Sequence, residues 1–134
     1  MRMRSLLIIL AVLLIFSTSA FASSDTLSVQ TCAYTGITPS FTAVSDTVYV
    51  PNNGYTLVEV KNTSGSQITV TVDSQISSEE GLAAADDEVT VAATTGDKLI
   101  GPLSQTAWNN SSGYAVFIFS ATTSVTIAAY KIDR

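Results

Sequence analysis

Apolar and polar side chains alternate with a period of two along most of this chain, and the clearest instance is Tyr55–Asp73. There Val58 and Val60 fall on one face and Leu57, Glu59 and Lys61 on the other, followed by the small polar run Asn62-Thr63-Ser64-Gly65-Ser66. A second alternating run then sets Ile68, Val70 and Val72 against Thr69 and Thr71. Two such runs around a short Gly- and Ser-containing link predict a β-hairpin with one face buried.

The same rhythm predicts the other strands. Thr26–Ala33 alternates, with Leu27, Val29, Thr31 and Ala33 on one side, and is followed by Gly36 and Pro39. Phe41–Val44 and Thr47–Val50 are short β-rich pieces stopped by Pro51-Asn52-Asn53-Gly54, a turn signal because Asn and Gly tolerate positive φ. Ser74–Asp87 breaks the period and predicts an ordered loop or a short helical turn. Val89–Ala93 and Lys98–Ile100 resume it, and Gly101-Pro102 ends the latter because proline supplies no ladder donor. Trp108–Gly113 is a loop with an aromatic at its entrance. Tyr114–Ser120 and Val125–Ile132 close the chain; the former is apolar on both faces and so belongs in the middle of a sheet or under a second subunit. About eight or nine short strands at roughly 8–12-residue spacing predict an all-β fold, a single antiparallel β-sandwich of jelly-roll or Ig-like type. No 20–50-residue repeat and no long helical period compete with it.

Composition changes the picture first at the N-terminus. Arg2 and Arg4, the apolar run Leu6–Phe16 and the Ala20-Phe21-Ala22 triplet have the order of a secretory signal peptide over residues 1–22, helical in the precursor. Eleven apolar residues are too few for a bilayer core, which needs roughly 20. The working protein is then residues 23–134, one domain, secreted to the extracellular space or cell surface, with no membrane segment in its mature form. Without the two leader arginines, four basic side chains face eleven acidic ones, a net charge of −7. That excludes nucleic-acid or anionic-lipid binding through bulk electrostatics. The single cysteine, Cys32, forms no internal disulfide and is either a small buried hydrophobe or a link to a partner chain.

Thr56–Asn62, Ile68–Val72, Gly81–Val91, Lys98–Pro102 and Ser124–Tyr130 together resemble small tailed-phage and prophage head-decoration proteins. The resemblance implies a non-enzymatic β-sandwich that coats or joins a larger assembly, and it carries no catalytic residue.

The chemistry-bearing residues are few. There is no histidine, so Ser-His-Asp triads, Cys-His pairs and histidine metal sites are excluded, and no phosphate-binding glycine motif occurs. No enzyme and no cofactor is expected. Asp86, Asp87 and Glu88 are weak candidates for a calcium site, since Ca²⁺ takes six to eight oxygens from carboxylates and carbonyls. Trp108 with Asn109 and Asn110 suggests a sugar-binding loop through ring stacking and amide hydrogen bonds, and Asn62, like Asn109 and Asn110, opens an N-x-[ST] glycan acceptor. The leading expectation is self-association into a homopolymer, with Leu27, Val29 and Cys32 on an N-terminal strand (26–33) that can be lent to a neighbour. Three function classes follow: a secreted structural subunit of a filament or surface assembly, a phage-type capsid decoration protein, and a surface adhesin or carbohydrate-binding module.

Overall fold

Every residue from Thr56 to Asn62 alternates between buried and half-buried, and Ile68–Val72 repeats the pattern, so the period of two in the sequence is realised as strands with one face in the core. The computed structural model describes residues 23–77 and 81–133, so the expected signal peptide over residues 1–22 lies outside the described residues. Among the described residues there are ten strands: β1 (Ser24–Thr26), β2 (Val29–Thr31), β3 (Thr42–Ala43), β4 (Thr47–Pro51), β5 (Thr56–Asn62), β6 (Ile68–Val72), β7 (Asp87–Val91), β8 (Gly96–Ile100), β9 (Tyr114–Phe119) and β10 (Val125–Lys131). One short helix, α1 (Gln105–Trp108), precedes β9.

The strands form two mixed five-stranded sheets, giving an all-β, sandwich-like architecture. Sheet A runs β1-β4-β9-β6-β7, and sheet B runs β2-β10-β5-β8 with β3 also on β10. Inward side chains of both, among them Val48, Val50, Val58, Val60, Phe117 and Ile127, join one core cluster. Each fully buried aliphatic or aromatic side chain there contributes roughly 1.5–3 kcal/mol. β9 lies third of five in its sheet, where its two apolar faces place it.

Three expectations are corrected. First, Tyr55–Asp73 is not a hairpin: β5 pairs with β8 and β10 in sheet B, while β6 pairs with β7 and β9 in sheet A, so the link between them arches across the core. An alternating run says which side chains point inward but not which neighbour accepts its hydrogen bonds, and a hairpin and an arch therefore read alike. Second, Thr26–Ala33 is not one strand. The chain leaves sheet A after Thr26 and enters sheet B at Val29, and beyond the half-buried Gln30 its side chains are exposed through Gly36. Third, the ladders are not all antiparallel, because β1 lies parallel to β4 and β2 parallel to β10. Parallel neighbours need a long connection; residues 27–46 supply it between β1 and β4, and the body of the chain supplies it between β2 and β10. The described part of the Ser74–Asp87 loop holds an isolated bridge, Ser77 with Ala83, and no helix.

The arch after β5 is stacked on a second one. Residues 92–95 carry the chain from β7 in sheet A to β8 in sheet B, and the Thr94 amide donates to the Ser64 carbonyl at 2.8 Å. Asn62, fully buried at the end of β5, binds both arches. Its Nδ2 donates to the carbonyls of Ser66 (2.8 Å), Ala92 (2.9 Å) and Val91 (3.4 Å), and its Oδ1 accepts from the Ser64 amide (3.0 Å) and hydroxyl (2.7 Å). Gly96 closes the second arch, since a Cβ there would meet the Ala92 carbonyl. Among the described residues no buried side-chain nitrogen or oxygen lacks a partner.

Candidate functional site

The two sheets end differently at their two sides. On one side lie the edge strands β7 and β8, which carry Asp87, Glu88, Asp97 and Lys98, and charge on an exposed edge discourages strand addition. On the other side the N-terminal residues form a strap across both sheets, covering the free edge of β4 with β1 and that of β10 with β2. Each attachment is a three-residue ladder. Flanking bonds run from the Thr47 amide to the Ser23 carbonyl (3.1 Å), from the Leu27 amide to the Tyr49 carbonyl (2.9 Å) and from the Cys32 amide to the Lys131 carbonyl (2.9 Å).

Only one side chain of the strap is fully engaged with the core. Leu27, at the switch between sheets, is 7% exposed, whereas Val29 packs against the core half-buried and all of β1 is exposed. Beside Leu27 lies a cavity of about 360 Å³ with Val48, Ile127 and Ala43 on its apolar side and Asp25, Ser28 and Gln30 on its polar side. The segment that follows the strap, residues 32–41, is mostly exposed and turns at Gly36 (φ +83°), a left-handed conformation that glycine adopts without strain. Gln30 ties it down, donating to the Thr38 carbonyl (3.0 Å) and accepting from the Ser40 amide (2.8 Å).

The strap thus brings Leu27, Val29 and Cys32 together on one edge, and Cys32 is exposed. The other candidates stay apart. Asp87 and Glu88 are successive residues of β7, so they point to opposite faces, and the Asp86 carboxylate accepts from the Ser74 amide at 2.8 Å. Among the described residues no three His, Cys, Asp or Glu side chains converge. Trp108 packs half-buried on the core from α1. The amides expected to face a ligand hold turns instead. Asn62 is buried between the arches, and Asn109 donates to the Asn52 carbonyl (3.0 Å) and accepts from the Asn52 side chain (2.7 Å). The Asn110 Oδ1 accepts from the Ser112 (3.0 Å) and Tyr114 (3.1 Å) amides.

Sequence reasoning missed two polar features. Asn52, buried between β4 and β5, donates to the Leu103 carbonyl at 3.0 Å and accepts from the Gly54 amide at 3.0 Å. On the outward face of sheet B the Tyr130 hydroxyl donates to Glu59 at 2.8 Å, and Lys61 pairs with Glu59 (3.2 Å) and Asp97 (3.6 Å) while lying 4.2 Å from the Phe41 ring centroid. Burial, then the Glu59 hydrogen bond, raises the Tyr130 phenol above its ordinary value. The Glu59 hydrogen bond likewise leads in raising the Lys61 ammonium, opposed in part by desolvation. The alternation of β5 and β10 puts these groups on one face, which is the signal that could have found them.

No family model, curated protein or solved structure matches the chain.

Proposed function

We propose that this is a secreted, non-enzymatic structural protein, a subunit of an extracellular filament or surface assembly whose copies are joined by exchange of the strap. With the strap set aside, the strand orders β3-β10-β5-β8 and β4-β9-β6-β7 are those of an eight-stranded jelly roll, and from β3 onward only β6 and β7 are sequence neighbours paired in one sheet. We therefore read residues 23–134 as a single jelly-roll sandwich with an added N-terminal strap. The observation that carries the assembly reading is the strap's attachment: two three-residue parallel ladders, one buried anchor at Leu27, and a mostly exposed ten-residue connection behind it. An identical strap from a second copy restores every contact the first one loses, so exchange costs little beyond the reorganisation of residues 32–41. The acidic surface leaves nucleic acid and anionic membranes as poor partners.

Ser24 and Thr47 are opposed in register on β1 and β4, which permits a direct test. In a Cys32→Ser chain carrying Ser24→Cys and Thr47→Cys, oxidation links a strap to whichever copy it occupies. Exchange produces a covalent ladder on a non-reducing gel under assembling conditions. Monomers alone under those conditions would contradict it.

The jelly-roll order favours two further readings by fold analogy only, since capsid and lectin domains share it. One is the phage-type capsid decoration protein, tested by co-sedimentation with particles. The other is an adhesin or carbohydrate-binding module using the cavity of about 400 Å³ bounded by Asn53, Gln105 and Lys131, tested on a glycan array.

A further inference from the structure

The outward faces of the two sheets differ in charge. Sheet B presents the Glu59, Lys61 and Asp97 ladder, and its β10 side chains Ala128 and Tyr130 are buried although they point away from the core, beside the segment that Gln30 ties down. Sheet A turns Tyr49, Tyr114, Val116 and Ile118 outward at its centre, Val116 buried at 7% exposure beside half-buried Tyr49 and Tyr114 and the exposed Ile118, with Tyr49 and Tyr114 edge to face at 6.3 Å between ring centroids. Around them stand Thr26, Thr47, Thr69, Thr71 and Thr90. In register, Thr47, Ile118 and Thr71 form one row across three strands, and Tyr49 sits beside Val116 in the next. Ile118, the penultimate residue of the central strand β9, is 41% exposed. Within the strands of sheet A the one outward charge among the described residues is Glu88, on the edge strand β7.

We propose that this face docks on the same face of a second copy, forming a two-fold lateral contact; the inference deepens the assembly reading and rests on it. The argument for this occupant is electrostatic. Copies that each carry a net negative charge, −5 over the full sequence, repel one another in most orientations, and this threonine and tyrosine face, with Glu88 alone at its edge, is where two of them approach with the fewest carboxylates opposed. A charge-free apolar centre, tyrosines and a polar rim are also the composition of a protein interface. Five strands about 4.8 Å apart and about five residues long give a footprint of about 400 Å² per copy. Twice that lies below the roughly 1,200–2,000 Å² of a stable complex, so the contact belongs to the weak class and gains strength from repetition in an assembly.

The test is sedimentation velocity of the purified chain over a concentration series, at low and at physiological salt. The contact predicts a reversible monomer–dimer equilibrium that tightens as salt screens the repulsion, the opposite of an interface built on ion pairs. Ile118→Glu places a charge at the centre of the row and raises the dimer Kd at least about tenfold. Thr47→Glu, nearer the edge, does the same, and far-UV circular dichroism and melting establish that each variant is folded. Unchanged dimerisation by a folded variant overturns the proposal. So does a wild-type chain that stays monomeric at every concentration, or one that stays monomeric and binds a neutral polysaccharide in an Ile118-dependent way. Dimers without polymers count against the assembly reading alone; polymers indifferent to Ile118→Glu count against this interface alone.

Discussion

Replacing Asn62 by alanine should be the most damaging single truncation of a polar side chain in this protein. Asn62 makes four hydrogen bonds of 3.0 Å or less, two through Nδ2 and two through Oδ1, with no solvent exposure. Truncation leaves the half-buried Ser64 amide without its side-chain partner, at about 1–1.5 kcal/mol, and costs about 0.5 kcal/mol at each of the Ser66 and Ala92 carbonyls, which belong to exposed residues. The total is about 2–2.5 kcal/mol, a large share of the roughly 5–15 kcal/mol that stabilises a domain. Urea unfolding followed by tryptophan fluorescence measures it as a lower midpoint at unchanged slope. Because the side chain binds both arches, hydrogen exchange should accelerate at the Ser64 and Thr94 amides together. Asn62→Asp keeps the shape but turns a carboxylate toward carbonyls, so its cost is larger at neutral pH and shrinks as pH falls and the group protonates. A loss below about 1 kcal/mol for Asn62→Ala, or faster exchange in one arch only, would refute the account of the paired arches.

Other predictions follow the same contacts. Tyr130 has a raised phenol and Lys61 a raised ammonium, so the stabilisation they give is complete below about pH 10 and declines as pH rises beyond it; Tyr130→Phe should cost about 1–2 kcal/mol at neutral pH and flatten the alkaline limb of a melting-temperature profile. Leu27→Ala should cost about 2–3 kcal/mol and make the strap the first site of limited proteolysis, because Leu27 is its only deeply buried anchor. Gly96→Ala should cost about 1–3 kcal/mol in urea unfolding, since the added methyl meets the Ala92 carbonyl. Millimolar calcium should leave the melting temperature unchanged because Asp87 and Glu88 diverge; a rise abolished by Asp87→Asn would contradict that.

Much of the fold was legible because burial in a strand has a period of two that survives in the sequence. The inward set Val58, Val60, Ile68, Val70 and Val72 and the central position of Tyr114–Ser120 follow directly from it. Pairing partners were not legible, because they depend on where a connection leads. The five polar residues after Val60-Lys61 suit a tight turn, yet Asn62 falls on the inward side with Thr56, Val58 and Val60. A polar residue on the core side of a strand signals a buried hydrogen-bonding post, and that clue separates an arch from a solvated turn. The strap was legible as β-forming, but its switch of sheets at Leu27 leaves no trace in the alternation over so few residues. The amides of Asn62, Asn109 and Asn110 misled for a related reason: composition marks them as hydrogen-bonding groups without saying that the backbone of neighbouring turns uses them. The outward face of sheet A shows in the sequence only as Tyr49, Val116 and Ile118 on strands with no charge, and the pairing of β4, β9 and β6 is what makes them one surface.

Negative-stain electron microscopy of the purified chain over residues 23–134 tests the assembly claim most directly. The account predicts ordered polymers or layers of one repeating subunit, weakened by Leu27→Ala and by Ile118→Glu through separate contacts. A field of dispersed single subunits at every concentration and salt would contradict it.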